Sequence, residues 1–110
     1  MSAIDPPKVR LDDLVIPHPE KTYFLRVNGE SMLGAGIMPG DLLLVEKAED
    51  APSGKIVIAA LDGEVTVKRL YRGRGRVLLR PENPAYQDIN ITGRDDARIV
   101  GIVIAALHAC

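Results

Sequence analysis

The residue whose setting could carry chemistry is a serine in Gly29-Glu30-Ser31-Met32, placed after a β-branched run and before Gly34, Gly36 and Pro39-Gly40-Asp41. Glycine beside a nucleophile lets the backbone approach a substrate carbonyl and aim its amides at the developing oxyanion. A serine hydroxyl also needs a base. The two histidines, His18 and His108, stand at opposite ends of the chain in unpatterned settings and read as surface residues. The one cysteine is the last residue, Cys110, so neither a histidine triad nor a metal site is expected. The remaining candidate base is a lysine, which works only when neutral and must therefore be desolvated. Lys68 lies inside the apolar run Val65-Thr66-Val67-Lys68. On spacing alone, a Ser31–Lys68 pair competes with the commoner arrangement in which a mid-strand lysine points to solvent.

A second group is cationic. Tyr71-Arg72-Gly73-Arg74-Gly75-Arg76 is the most basic stretch of the chain. It reads either as a phosphate-contacting loop or, preferred here, as a solvated hairpin turn in which glycine supplies positive φ and arginine supplies solubility. The acidic stretch Glu46 to Asp50 reads as a solvated turn.

The elements that must position these residues are short β-branched runs separated by turn residues. Tyr23 to Val27 is closed by Asn28-Gly29, and Leu42 to Val45 follows Pro39-Gly40-Asp41. Lys55 to Leu61 and Glu64 to Leu70 flank Asp62-Gly63, a hairpin signal. Arg76 to Arg80, Asp88 to Ile91 and the long apolar run Ala97 to Ala106 complete the series. A helical period is suggested only around Leu11 and Ser31. Such spacing predicts a mostly-β fold, with short strands in a sandwich or barrel-like arrangement. Residues 1–10, with the paired prolines Pro6 and Pro7, read as an N-terminal arm, and 11–110 as a single domain.

Composition bounds what such a domain does. Its 110 residues allow one modest core. Lys plus Arg number 14 against 15 Asp plus Glu, a balance that argues against coating nucleic acid by bulk charge. Hydrophobic residues at 46 % exclude a disordered chain. With aromatics at 4 % and no tryptophan, Val, Ile and Leu must build the core. No apolar run is long enough to span a bilayer and no signal peptide opens the chain, so a cytoplasmic protein without membrane association is expected.

Several motifs, in order, resemble those of the LexA/UmuD peptidase family, the Ser–Lys proteases of peptidase family S24 that cleave themselves in the bacterial SOS response. They are Gly29-Glu30-Ser31-Met32, Gly40-Asp41, Gly54-Lys55-Ile56-Val57 and Asp62-Gly63-Glu64-Val65-Thr66-Val67-Lys68-Arg69-Leu70. His18-Pro19 before Thr22-Tyr23-Phe24, Ile56 to Ala60, Asn83-Pro84-Ala85-Tyr86 and Gly101 to Ile104 resemble the UmuD branch most. The resemblance runs from about Val9 to Leu107. It implies a LexA/UmuD-like mostly-β peptidase domain with Ser31 as nucleophile and Lys68 as general base. It also implies oxyanion donors in the backbone of Glu30 and Ser31, and no cofactor or metal.

For the UmuD branch, the resemblance further implies a homodimer that serves a Y-family translesion polymerase in DNA-damage-induced mutagenesis. Cleavage there is stimulated by the RecA–single-stranded DNA filament. Two departures bear on this. No helix-turn-helix precedes the domain, so sequence-specific DNA binding is not expected. The arm also lacks the Ala-Gly or Cys-Gly pair the family cuts, which suits a processed, UmuD′-like form, a truncated chain or a naturally short member. Ala35-Gly36 occurs, but within the loop after Ser31. The apolar run Ile99 to Leu107 suits either a dimer contact or a core strand. Three other readings stand beside the first: a binding module whose dyad is idle, the peptidase half of a LexA-like or phage repressor, and a signal peptidase. The last is disfavoured by the missing anchor and by Gly29, where that family often has a hydroxyl residue.

Overall fold

A computed structural model describes residues 16–108. The expected arm, residues 1–10, and nearly all of the segment beginning at Leu11 lie outside the described residues. Seven strands form: β1 (Thr22–Arg26), β2 (Leu42–Lys47), β3 (Ile56–Leu61), β4 (Glu64–Gly73), β5 (Arg76–Arg80), β6 (Ile89–Asn90) and β7 (Ala97–Leu107). All the expected β-branched runs are strands. Around Ser31 the suggested helix is only a 3-10 turn, Leu33–Ala35, ended by Gly36 in the left-handed region at φ 80°. Among the described residues, no helix is long and apolar enough to cross a membrane.

The strands make one antiparallel sheet in the order β1-β2-β7-β3-β4-β5-β6, not two stacked sheets. Asp62 and Gly63, at φ 53° and 80°, form the tight β3–β4 turn that the Asp-Gly pair specifies. The C-terminal run becomes an interior strand of the sheet. β7 pairs with β2 along one edge and β3 along the other, so no second copy can add to it by strand pairing. Two irregularities in its register, opposite Leu44/Val45 and opposite Ile58/Ala59, leave Ile104 and Val100 as extra residues. Such bulges sharpen the twist.

Twist gives the sheet apolar cover on both faces. Ile56 and Ile58 of β3 enter one core with Met32, Ile37, Leu43, Val45 and Val103. Val57 and Ala59, on the opposite face, enter a second core with Leu70, Leu79, Ile91 and Ile99. A strand covered on both faces reads as a continuous apolar run, which is why Ile56 to Ala59 shows no alternation. Each fully buried Leu or Ile contributes roughly 1.5–3 kcal/mol of transfer free energy.

Between the bulges, β7 passes so close to its neighbours that only glycine fits. A Cβ on Gly101 would lie 3.0 Å from Tyr23 Oη and 3.1 Å from the Glu46 carbonyl oxygen, and would overlap Val45 Cγ1. Gly101→Ala is therefore expected to destabilise the protein by about 1–3 kcal/mol, the usual scale of overpacking. In urea the midpoint should fall with little change in slope. An unchanged midpoint would show that β2 and β7 separate freely.

Candidate active site

Ser31 sits in the 28–40 loop between β1 and β2, and the sequence fixes that loop from both ends. Val27 N donates to the Asp41 carbonyl at 2.8 Å and Gly40 N to the Val27 carbonyl at 3.0 Å, extending the β1–β2 ladder to the loop's base. Met38 N donates to the Asp41 side chain at 2.9 Å, closing the Pro39-Gly40 turn in which Gly40 has φ 88°. Met32 and Ile37, each 1 % exposed, plug the loop into the first core. With its neighbour so anchored, Ser31 has little freedom of position.

The loop is also held from outside. Glu82 N donates to the Ser31 carbonyl at 2.8 Å, Gly34 N to the Glu82 carbonyl at 2.7 Å, and Asn83 Nδ2 to the Glu30 carbonyl at 2.8 Å. In a trans peptide the N–H points opposite the C=O. Tying the Glu30 and Ser31 carbonyls to the 82–83 segment therefore turns the amides of Ser31 and Met32 away from it. The Glu82 carboxylate accepts from Arg69 Nε at 2.7 Å, and Arg69 Nη1 donates to the Gly54 carbonyl at 2.7 Å. Arg69 adjoins Lys68, so one ion pair links the strand carrying the amine to the segment holding the serine.

Lys68 lies on β4 and pairs with Val57 of β3. It is 7 % exposed. Its Nζ is 3.0 Å from Ser31 Oγ and 2.6 Å from Thr66 Oγ1. Burial lowers its pKa below the ordinary lysine value, because a charged ammonium loses its hydration there. Thr66 accepts one N–H, and residues two apart on a strand share a face, so its hydroxyl orients the amine. A neutral amine held this way has a lone pair free for a proton from Ser31. A cleft of about 260 Å³ opens beside the pair, lined by Leu25 to Gly29, Ser31 and Met32 on one side and Glu64 to Val67 on the other.

The two residues singled out by chemistry in the sequence thus meet across 37 positions of chain. Thr66 was missed, although its place two residues before Lys68 on one strand was the available signal. Glu82, Asn83 and Arg69 were missed because nothing local marks them as partners of the 28–40 loop. His18 Nδ1 is 3.9 Å from Glu20 Oε2, and His108 Nδ1 is 2.8 Å from Oδ1 of the buried Asp41. Neither histidine reaches Ser31. Among the described residues, no group of His, Cys, Asp and Glu could hold a metal ion.

A family model described as Peptidase S24-like matches residues 2–104. Among similar curated proteins, the LexA repressor of Bordetella parapertussis is 48 % identical over 86 residues, covering 78 % of this chain and 40 % of that protein. The LexA repressor of Cupriavidus pinatubonensis is 49 % identical over 88 residues, covering 79 % and 40 %. That of an Anaeromyxobacter species is 42 % identical over 98 residues, covering 87 % and 42 %. The chain thus spans about two fifths of the length of these relatives. With the family model matching almost end to end, the chain belongs to the Peptidase S24-like family, the LexA/UmuD family that its motifs resemble.

Proposed function

We propose that this domain is a Ser–Lys endopeptidase of the LexA type, which cuts an Ala-Gly or Cys-Gly bond presented as an extended peptide in the cleft beside Ser31. The observation that carries this is the 3.0 Å approach of a buried amine to a loop serine. Neutral Lys68 takes the Ser31 proton while Oγ bonds to the scissile carbonyl carbon. On collapse the C–N bond breaks and the Lys68 ammonium returns that proton to the leaving amine. Water then attacks the acyl ester, giving a proton to Lys68; the acyl C–Oγ bond breaks and the Lys68 ammonium passes that proton to Oγ, regenerating Ser31 and neutral Lys68. The amides of Glu30 and Ser31 are our candidate oxyanion donors, and the tied Glu30 carbonyl fixes the direction of the second.

In the whole protein, a self-cleaving SOS repressor is the role best supported, because the relatives reported above are named LexA repressors. The UmuD-type role, a homodimeric cytoplasmic subunit for a Y-family polymerase whose processing the RecA filament stimulates, rests on the local resemblances at His18-Pro19 and Asn83 to Tyr86. Adding RecA and single-stranded DNA tests a feature that both roles share. Co-purification with a Y-family polymerase separates them.

The dyad is tested by mixing the chain with a peptide containing an Ala-Gly or Cys-Gly bond. The parent should cut it, and Ser31→Ala and Lys68→Ala should each lose at least about 100-fold in rate, as expected for removing a nucleophile or its base. The rate should climb with pH as Lys68 loses its proton and level off below the ordinary lysine value. Cutting that survives either substitution would refute the mechanism.

Stability should follow the same proton. The unfolded chain exposes Lys68 to water and keeps it charged to higher pH than the folded chain does. Stability therefore rises with pH between the lowered folded value and the ordinary one. Lys68→Met should flatten that rise in urea titrations across the range.

Loop positioning gives a further test. A Cβ on Gly34 would stand 2.6 Å from the Glu82 carbonyl oxygen. Gly34→Ala must push the 82–83 segment off the loop, and a displacement near 1 Å costs about 100-fold in rate. Arg69→Ala should act in the same direction, more weakly. A Gly34→Ala protein that cuts at the parental rate would show that the 82–83 clamp is dispensable.

A further inference from the structure

The β4–β5 hairpin ends in a turn of unusual composition. Gly73 and Arg76 are the last pair of the ladder, and Arg74 and Gly75 between them have φ 55° and 73°. The β3–β4 turn has the same positive φ at both central residues but fills the first with Asp62. Two-residue turns of this hand select Asn, Asp or Gly at that place, because a longer side chain is disfavoured in the left-handed region. Arginine at Arg74 is thus a local misfit, and a residue so strained at an exposed tip points toward use rather than folding.

The surrounding charges are not equivalent. Arg72 is paired with Asp50 at 2.7 Å, Arg80 with Asp88 at 3.1 Å and Arg69 with Glu82 at 2.7 Å. Arg74 and Arg76 are exposed and, among the described residues, join no ion pair. Cross-strand partners share a face, so Arg76, Tyr71 and Arg80 all lie on the face opposite Leu70 and Leu79. The Arg80 guanidinium lies 4.8 Å over the Tyr71 ring. The unpaired Arg76 therefore shares a face with a half-buried aromatic ring that carries the Arg80 cation, and the unpaired Arg74 stands at the turn just beyond.

We propose that this hairpin tip contacts the phosphate backbone of single-stranded nucleic acid, Arg74 and Arg76 taking phosphates while Tyr71 offers a stacking surface to a base. Guanidinium forks suit phosphate. The adjacent ring favours a nucleic acid over an acidic peptide, since every base has a face to stack and a carboxylate has none. Flanking glycines let a strand approach the turn closely. The contact is local and sequence-tolerant, consistent with a chain of net charge −1. Along the hairpin, Tyr71 lies about 10 Å and Arg74 about 20 Å from Lys68 at about 3.3 Å per residue, and neither lines the cleft.

The test is fluorescence anisotropy of labelled oligo(dT) and oligo(U) 20-mers (lengths of about 20 suffice for one such contact) across a salt series. The parent should bind at least one, with log affinity falling against log salt at a slope of about −1.4 for two phosphates. Arg74→Asn, which suits the turn and should melt no lower than the parent, should roughly halve that slope. Arg74→Asn with Arg76→Ser should abolish it. Tyr71→Leu should weaken binding about tenfold and leave the slope. Polyglutamate of equal length should not displace the oligonucleotide. No salt-dependent binding by the parent, or equal binding by the double variant, overturns the proposal. Displacement by polyglutamate together with an unaffected Tyr71→Leu variant overturns it in favour of an acidic protein partner.

Discussion

An amine cannot be kept out of water without arrangements around it, and most of the site's structure follows from placing Lys68 Nζ 3.0 Å from Ser31 Oγ in a mostly buried position. A charged ammonium there would lack most of its hydration, so the fold favours the neutral form. The neutral form in turn needs a polar neighbour, and Thr66 supplies one from the same strand at 2.6 Å. No buried side-chain nitrogen or oxygen among the described residues is left without a partner. Desolvation and hydrogen bonding thus act together, lowering the basicity of the amine while fixing its direction.

The serine has to be as immobile as the amine, yet it sits in a loop. Three separate devices hold it. Backbone pairing of Val27 with Asp41 closes the loop's base, the Met32 and Ile37 side chains bury its ends, and the 82–83 segment binds the Glu30 and Ser31 carbonyls. The Arg69–Glu82 pair, with side chains 15 % and 35 % exposed, joins this clamp to β4. Its pairing energy is modest for a partly exposed pair, and its larger effect is geometric, since Arg69 follows Lys68 directly. Gly34 and Gly101 mark where backbones approach too closely for any side chain. The hairpin tip beyond Gly73 bears none of these constraints, and its arginines stand free of them.

Ala35-Gly36 lies in the 3-10 turn that this clamp holds, with Gly36 left-handed at its end. A bond so placed is tied into the loop that carries Ser31. The cleft between the 25–29 stretch and the start of β4 opens beside that loop.

The strand pattern was legible in the sequence because its causes are local. β-branched runs and Asp-Gly or Pro-Gly turns act over a few residues, and all seven expected strands formed. Ser31 and Lys68 could be singled out by residue type and setting, and the motif order identified the family. What the sequence left open was decided by contacts between distant segments. Ile99 to Leu107 suited a dimer contact or a core strand equally. Pairing with β2 and β3 made it an interior strand, with both its backbone edges satisfied. Likewise a mid-strand lysine alternates between core and solvent with register alone. The β3–β4 register, which sets Lys68 against Val57, and the loop folded over it turned its amine toward Ser31. Sequence by itself determined which groups were available, whereas the tertiary structure decided which were desolvated and within reach of one another.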